Sequence, residues 1–552
     1  MSKSALVLVN RTDTFFLALL SRLAHLVMEE MLALIGAAPY ATALAVSLFV
    51  YFVVYPWIVY LKDAKGLRRF PNMSTFSGMS DLPFMALAHT GARSAHLAKL
   101  HKDEPVLRTG PNSLSFGRVA AIKDIYGHGS PCHKDESYVL TAATHFHLAD
   151  VVEKPEHARK RKVLSAAYAL KNLEEWEHKV ADKVDRLIKQ FDQRCASPYN
   201  KDPKSFQDSA LDFRAWTNFF TLDAIADIGL SERLGFLDQG NDCVIGQGKD
   251  GSRYELNLRE CLYPTARKQS LLLWSYDYYK FIDKLSNLIP YYRRMAKASQ
   301  GWDAIALRLS NSRLERYRRM EKLDDFFQAL MQDRNGIPHN LEWGEVVAEV
   351  NIMMNAGSVT TAIALTNALY QLIRTPRAMA LLREEVDAAL ESDEVIAPYD
   401  KVKHLPYLRA CLDESLRLFP PTTHGLPRKT PPDGLNVMGH YVPGNTTVSI
   451  SALVAHRDES VFHDADQYIP ERFLGEKGKE LQSSFIAFSA GSRGCIGRNI
   501  SYLEQTVLIA SLVHRYEFEL PRGFELQREE TMNHLLKDMP VRVWRRSVTG
   551  EV

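Results

Sequence analysis

The chain has 552 residues, 46% of them hydrophobic and 24% charged, with 68 Lys and Arg against 66 Asp and Glu for a net charge of +2. That is the composition of a globular protein with a core, and with neither half strongly basic it excludes nucleic acid as a dedicated partner. Cys132, Cys195, Cys243, Cys261, Cys411 and Cys495 show no paired CxxC spacing and no disulfide-scaffold density, which fits a reducing compartment.

No charged residue lies between Glu30 and Lys62, and a hydrocarbon core needs only about 20 apolar residues. Residues 31–61 are therefore expected to be a transmembrane anchor. A cleaved signal peptide fits less well, because the run is too long for its apolar core and begins late. Lys62, Lys65, Arg68 and Arg69 follow directly, so the positive-inside rule places everything beyond them in the cytoplasm. Residues 1–30 are partly apolar and either lie in the interface or form a second span. Residues 62–83, basic and then rich in Ser, Met, Asn and Pro, read as a hinge, with a globular body over 84–552.

Pro105 to Phe116 alternates like a strand pair turning at Gly110-Pro111. From Pro155 the pattern becomes helical with a dense basic face, Lys154, Arg159, Lys160, Arg161 and Lys162, which by itself reads as a solvated surface. Helical segments fill much of 170–373, and the polar, Gly-containing stretch 238–252 reads as a loop. Glu345 to Ile373 is one long helix containing Ala356-Gly357-Ser358-Val359-Thr360-Thr361. Glycine costs about 1 kcal/mol there relative to Ala, and Thr can bond back to a carbonyl one turn earlier. Glu414 and Arg417 share a helix face at i,i+3, a common surface pairing. Beyond Pro431 the pattern shortens into strands at Val437 to Tyr441 and Thr447 to Leu453, and Pro470-Glu471-Arg472-Phe473 follows. Helix-rich first and strand-containing later, the body is expected to be one mainly α domain with small β-sheets.

The most informative stretch is Phe488-Ser-Ala-Gly491-Ser-Arg493-Gly494-Cys495-Ile-Gly497. Its glycines permit backbone shapes and close approaches that side chains forbid, so a flat, bulky group could lie against the loop. Cys495 is its one strong ligand. Ile496, Ile500, Leu503 and Val507 then form a helical stripe, which puts Cys495 at a helix N-terminus, where the dipole lowers a thiol pKa and favours thiolate. Phe488 could shield the sulfur from water, and Arg493 offers a cation to an anionic group.

This loop resembles the haem-binding signature of the cytochrome P-450 family, the haem-thiolate monooxygenases, with every fixed position present. The resemblance implies the family's predominantly helical fold after the anchor, haem b with Cys495 as axial iron ligand, and Phe488, Gly491, Arg493 and Gly497 in the cofactor site. It further implies that His157 and Arg161, spaced by one helical turn, contact the haem propionates. Arg428, in Thr422-Thr423-His424-Gly425-Leu426-Pro427-Arg428, resembles another propionate partner, with Thr423 and Leu426 facing substrate. Gly357 resembles the residue that makes room for dioxygen, and Thr360 the one that helps deliver protons. Glu414, Arg417 and Arg472 match a buried structural network that braces the haem pocket.

The function so implied is insertion of one oxygen atom from O2 into an apolar small molecule. Electrons would come from NADPH through a separate NADPH-dependent cytochrome reductase, with cytochrome b5 as a further donor, because no Gly-rich dinucleotide motif is visible. The remaining basic residues near Arg161 would receive that donor. The details look most like fungal secondary-metabolism members, which sit in the endoplasmic reticulum membrane. One position departs from the pattern. Val359 stands where the family usually has Asp or Glu, so protons must pass by Thr360 and water, with Ser358 or a substrate hydroxyl assisting, and Val359→Asp would speed delivery. The same departure keeps open an isomerase or dehydratase needing no external electrons, and a non-catalytic haem-binding protein is a further alternative.

Overall fold

The computed structural model describes residues 39–140, 142, 145–168, 174–195, 210–248, 250–273, 278–333 and 335–546. The expectations for residues 1–30 and for the first part of the anchor, 31–38, lie outside the described residues. Helix α1, Tyr40–Lys62, has a mean hydropathy of 2.1 and none of it is buried. A helix this apolar with no protein covering it suggests a membrane anchor.

The chain divides into two compact units, one of residues 1–84 and 106–114, the other of 85–105 and 115–552. In the first, the segment read as a hinge is tied down. Met73 N donates to Arg108 O at 2.9 Å and Arg108 N to Pro71 O at 2.7 Å, and Lys65 Nζ donates to Asn112 Oδ1 at 2.8 Å. Leu67 and Phe70 are buried, so this stretch has its own small core.

In the second unit, helices dominate. Those that build the site are α2 (Lys154–Ala167), α3 (Phe213–Leu230), α4 (Trp343–Arg374), α5 (Pro406–Leu418) and α6 (Arg498–Arg515). Helix α4 is also long and apolar enough to cross a membrane, yet just over half of its most apolar window is buried inside the protein. It is a core helix, with Val350, Met354, Ile363, Leu365 and Leu369 sharing one apolar cluster with Phe220 of α3 and Val507 of α6. Small sheets flank the helices: β1 (His133–Lys134) pairs antiparallel with β2 (Arg428–Lys429), which pairs with β3 (Thr447–Ile450). A hairpin, β4 (Arg528–Glu530) with β5 (His534–Leu536), lies near the C-terminus.

Two local expectations are corrected. The stretch read as a loop holds a strand, Cys243–Gln247, paired antiparallel with Arg253–Asn257; Gly246 and Gly248 had diluted its alternation. The strand read over Thr447 to Leu453 stops at Ile450, because Ser451 Oγ accepts from Val454 N and caps a short helix, Ala452–Ala455.

Candidate active site

The loop before α6 is held by its own backbone. Cys495 N donates to Phe488 O at 2.9 Å and Gly494 N to Gly491 O at 3.0 Å. Gly491 has φ +67°, and a Cβ there would fall 2.0 Å from Tyr126 O, so no other residue fits. Gly497 is different: an added Cβ would meet only Tyr168 Cε1, at 3.9 Å. The protein itself does not demand that glycine. It lines a cavity of about 390 Å³, and a bulky ligand there would.

Cys495 faces the same cavity. Its exposed surface borders this space. Burial pushes the thiol up; the backbone N–H groups of Gly497 and Arg498 and the charges of Arg161 and Arg498 pull it down, and burial prevails. The expected dipole effect is therefore present but outweighed until a metal cation adds its own charge. Among the described residues no cluster of three or more His, Cys, Asp or Glu could hold a bare metal ion. A metal on Cys495 must bring its other ligands with it, as haem iron does.

Basic side chains gather around this cavity. Lys134, His157, Arg161, Arg428 and Arg493 all line it. Burial and the charges of Arg493, Lys134, Arg161 and Arg428 push His157 down to about 3, and burial with Arg493 and Arg428 pushes Lys134 down to about 7. Arg493 falls to about 10 through burial and Arg428. Mutual repulsion of this kind is relieved by an anion, and a flat group with two carboxylates beside the sulfur suits it. The residues present thus fit haem.

Four of these side chains are also positioned by oxygen acceptors. Arg161 Nη1 donates to Gly494 O at 2.7 Å. Arg493 donates to Val151 O and Val152 O, each at 3.0 Å. Arg428 Nη1 donates to Tyr138 Oη at 3.1 Å, and Lys134 Nζ to Ala149 O at 2.6 Å. Lys134 escaped the sequence reading, because only the pairing of β1 with β2 sets it opposite Arg428. The basic face of α2 also divides. Lys160 turns inward to Glu345 at 2.5 Å and Glu349 at 3.2 Å, and Arg159 is already paired with Glu156 at 2.7 Å. Lys154, Arg159 and Lys162 of that run stay at the surface, while Arg161 points at the loop.

On α4, Ala356, Gly357, Thr360, Thr361 and Ala364 line the cavity. Thr360 Oγ1 donates back to Ala356 O at 2.7 Å, and Thr361 Oγ1 donates to Ser501 Oγ at 2.9 Å. A Cβ on Gly357 would lie 2.7 Å from Ile225 Cγ1, so this glycine lets α3 approach. Ser358 and Val359 sit on the other face. Ser358 Oγ is tied to Met354 O at 2.7 Å, and Val359 is packed in the apolar core at 3% exposure. Ser358 therefore presents no hydroxyl to the cavity, and a carboxylate at 359 would replace core. Val359→Asp is expected to lower stability by about 2–3 kcal/mol through an unpaired buried carboxyl, read as a falling unfolding midpoint. A variant as stable as wild type would mean the side chain reaches the cavity.

Of the segment Pro421 to Arg428, Pro421, Thr422, His424, Leu426 and Arg428 line the cavity. Thr423, expected to face substrate, is instead 1% exposed, with its carbonyl accepting from Ser451 Oγ at 2.5 Å. Phe488 packs against Tyr502, with ring centroids 5.1 Å apart and planes tilted by 46°, and lines the same cavity as Cys495.

Glu414, Arg417 and Arg472 come together. Arg417 Nε and Nη2 donate to Glu414 at 2.7 and 2.8 Å, both side chains fully buried. Arg472 Nε adds a bond at 3.0 Å. The sequence reading missed His456, which joins this network to the loop. Its Nδ1 donates to Arg417 O at 3.0 Å, and its Nε2 accepts from Ile486 N at 2.9 Å. Burial and Arg417 push His456 down to about 3, so it stays neutral and one tautomer serves both bonds.

Comparison with known proteins agrees with this geometry. The family model Cytochrome P450 matches residues 118–543. The chain is 28% identical to cytochrome P450 monooxygenase atr2 of Stereocaulon alpinum, over 84% of this chain and 86% of the relative. It is 27% identical to benzoate 4-monooxygenase bphA of Aspergillus niger, over 91% and 96%, and 30% identical to a cytochrome P450 monooxygenase of Aspergillus terreus, over 80% and 88%. That family implies haem, and its monooxygenases generally need a redox partner. With a lone cavity-facing thiol, a ring of cations and a matching model over most of its length, the chain belongs to the cytochrome P450 family and is a monooxygenase of fungal type.

Proposed function

We propose that this protein inserts one oxygen atom from O2 into an apolar small molecule of fungal secondary metabolism. Its electrons come from NADPH through a separate cytochrome reductase, with cytochrome b5 as a second donor. The observation that carries this reading is the meeting, in one cavity, of the Cys495 sulfur, the cationic ring and the Thr360 hydroxyl. Similarity to a benzoate 4-monooxygenase supports a small organic substrate. The anchor, with residues 31–61 as its extent and 62–83 leading to the catalytic body 84–552, holds the protein on the endoplasmic reticulum with that body in the cytoplasm.

Haem b, when bound, supplies the iron that activates dioxygen. Cys495 would hold the iron, and Arg161, Arg428, Arg493 and Lys134 would hold the two carboxylates, with His157 beside them. Phe488 keeps water from the sulfur. Thr360 Oγ1, back-bonded to Ala356 O, holds a proton at the cavity wall for transfer through water. Because Val359 faces the core, its lack of a carboxyl removes nothing from that wall, and the motive for the isomerase or dehydratase reading goes with it.

The test is the holoenzyme with reductase and NADPH, following NADPH, O2 and hydrogen peroxide together. Wild type consumes NADPH and O2; a protein that consumes neither overturns the reading. Thr360→Ala should raise the fraction of reducing equivalents released as peroxide by about tenfold or more, in line with the loss of a positioned proton donor. An unchanged fraction would remove Thr360 from proton delivery.

A further inference from the structure

Insertion of one oxygen atom from O2 turns the other into water, so each turnover takes two electrons, from NADPH through the reductase, and two protons. The protons need a route from solvent into the cavity. Val359 does not provide it, since its side chain is packed in the core. Among the described residues that line the cavity there is one carboxyl, Glu349. It shares a face of α4 with Met353, Ala356 and Thr360, at i, i+4, i+7 and i+11, and all four border the cavity. Eleven residues of helix put Glu349 about 16 Å from Thr360, a span for a chain of hydrogen-bonded water along that face.

Glu349 is linked to the outside through α2. Its Oε1 accepts from Leu148 N at 2.9 Å and from Lys160 Nζ at 3.2 Å, while Oε2 has no hydrogen-bond partner among the described residues. The same Lys160 Nζ lies 2.5 Å from Glu345 Oε1. Exposure rises along this line: the Glu349 and Lys160 side chains are 3% and 4% exposed, Glu345 16%, and Arg159, which also donates to Glu345 Oε1, 45%. Hydrogen-bond contact is therefore continuous from solvent to the cavity wall. Burial raises the Glu349 carboxyl above its ordinary value, against the charge of Lys160, which makes it a better proton reservoir than an exposed glutamate. The other titratable groups set around it are Lys134 on β1, Tyr168 at the end of α2, His147, and Glu345 on α4 itself.

We infer that Glu349 is the proton-entry residue of this enzyme, with Lys160 and Glu345 as its link to solvent. The inference rests on the monooxygenase reading above and adds the source of the protons that Thr360 positions. The Glu349 carboxyl gives one proton to water in the cavity, the Lys160 ammonium returns one to the carboxylate, and the lysine is recharged from solvent through Glu345. Two such cycles supply the two protons of a turnover, and every group ends as it began. With the acid ten residues earlier on the helix, position 359 is free to be core.

The test compares the haem-loaded wild type with Glu349→Gln, which keeps an oxygen for Leu148 N and Lys160 and cannot hold the proton, and with Glu349→Asp, which can. With reductase and NADPH, Glu349→Gln should raise the fraction of reducing equivalents released as peroxide by about fivefold or more, and Glu349→Asp should recover most of the loss. Glu349→Gln added to Thr360→Ala should change little further, because both interrupt one path. Lys160→Met, which cuts the link and leaves the carboxyl, should move the fraction in the same direction. Infrared difference spectra in H2O and D2O give a readout apart from turnover: wild type should keep a protonated carboxyl band at a pH where an ordinary glutamate has lost its own, and Glu349→Gln should lack it. An unchanged carbon monoxide band and unfolding midpoint show that the Gln variant keeps an intact site. A peroxide fraction that stays at the wild-type level in Glu349→Gln while Thr360→Ala raises it overturns the inference alone, as does an additive double variant. A wild type that consumes neither NADPH nor O2 overturns it together with the reading beneath it.

Discussion

Cys495→Ser abolishes the red-shifted carbon monoxide band of the reduced protein, because that band reports a thiolate ligand and serine supplies none. The expected loss is complete. No other cysteine reaches the cavity: of Cys132, Cys195, Cys243, Cys261 and Cys411, none is among its lining residues. The loop should survive the substitution, since its bonds run through the backbone of Phe488, Gly491, Gly494 and residue 495. A variant that keeps the band would show that a different cysteine holds the iron, and the site would have to be moved. The measurement is the reduced, carbon monoxide-bound difference spectrum beside total haem content.

Arg417→Leu is expected to cost about 3–5 kcal/mol, the range for removing one partner of a buried ion pair. Glu414 has no exposure and would keep only Arg472 and the Ile469 N–H, at 3.0 and 2.9 Å. The carbonyls of His456, Ala465 and Gln467, which accept from Arg417 at 2.7, 2.7 and 3.0 Å, would be left without that donor. Every guanidinium N–H is therefore in use. Arg417→Lys restores the charge and cannot restore the planar fork, so it should recover less than half of the loss. Because His456 couples Arg417 to Ile486, two residues before Phe488, the variants should also lose haem faster than wild type. Denaturant midpoints within about 1 kcal/mol of wild type would show that the network does not brace the loop.

The cysteine loop was readable in the chain because its chemistry is local. Gly491 answers to a positive φ and a carbonyl at contact distance, and such a demand can be met by only one residue type. Glu414 and Arg417 were readable as a pair at i,i+3, and the apolar run of residues 31–61 announced an anchor, of which the described part is helical and uncovered. The dense charge of Lys154 to Lys162 was visible too, but which of those charges point inward was not. Lys160 is buried only because α4 brings Glu345 and Glu349 against it.

Helical and strand periodicity in the chain define which residues share a face and leave undecided which face meets the cavity. On α4 the tertiary packing turns Thr360 to the cavity and Val359 to the core, so the mismatch at 359 carries a different meaning in the folded protein. In the segment after Pro421 it turns Thr422, His424 and Leu426 to the cavity and buries Thr423 away from it. Lys134 and His456 gain their places from residues such as Arg428 and Ile486, which are distant in the chain. Composition and spacing carry the identity of a loop, a pair or an anchor because those depend on neighbours within a turn or two. The rotation of each helix and the register of each strand are set by burial against other elements, and that is a property of the assembled core.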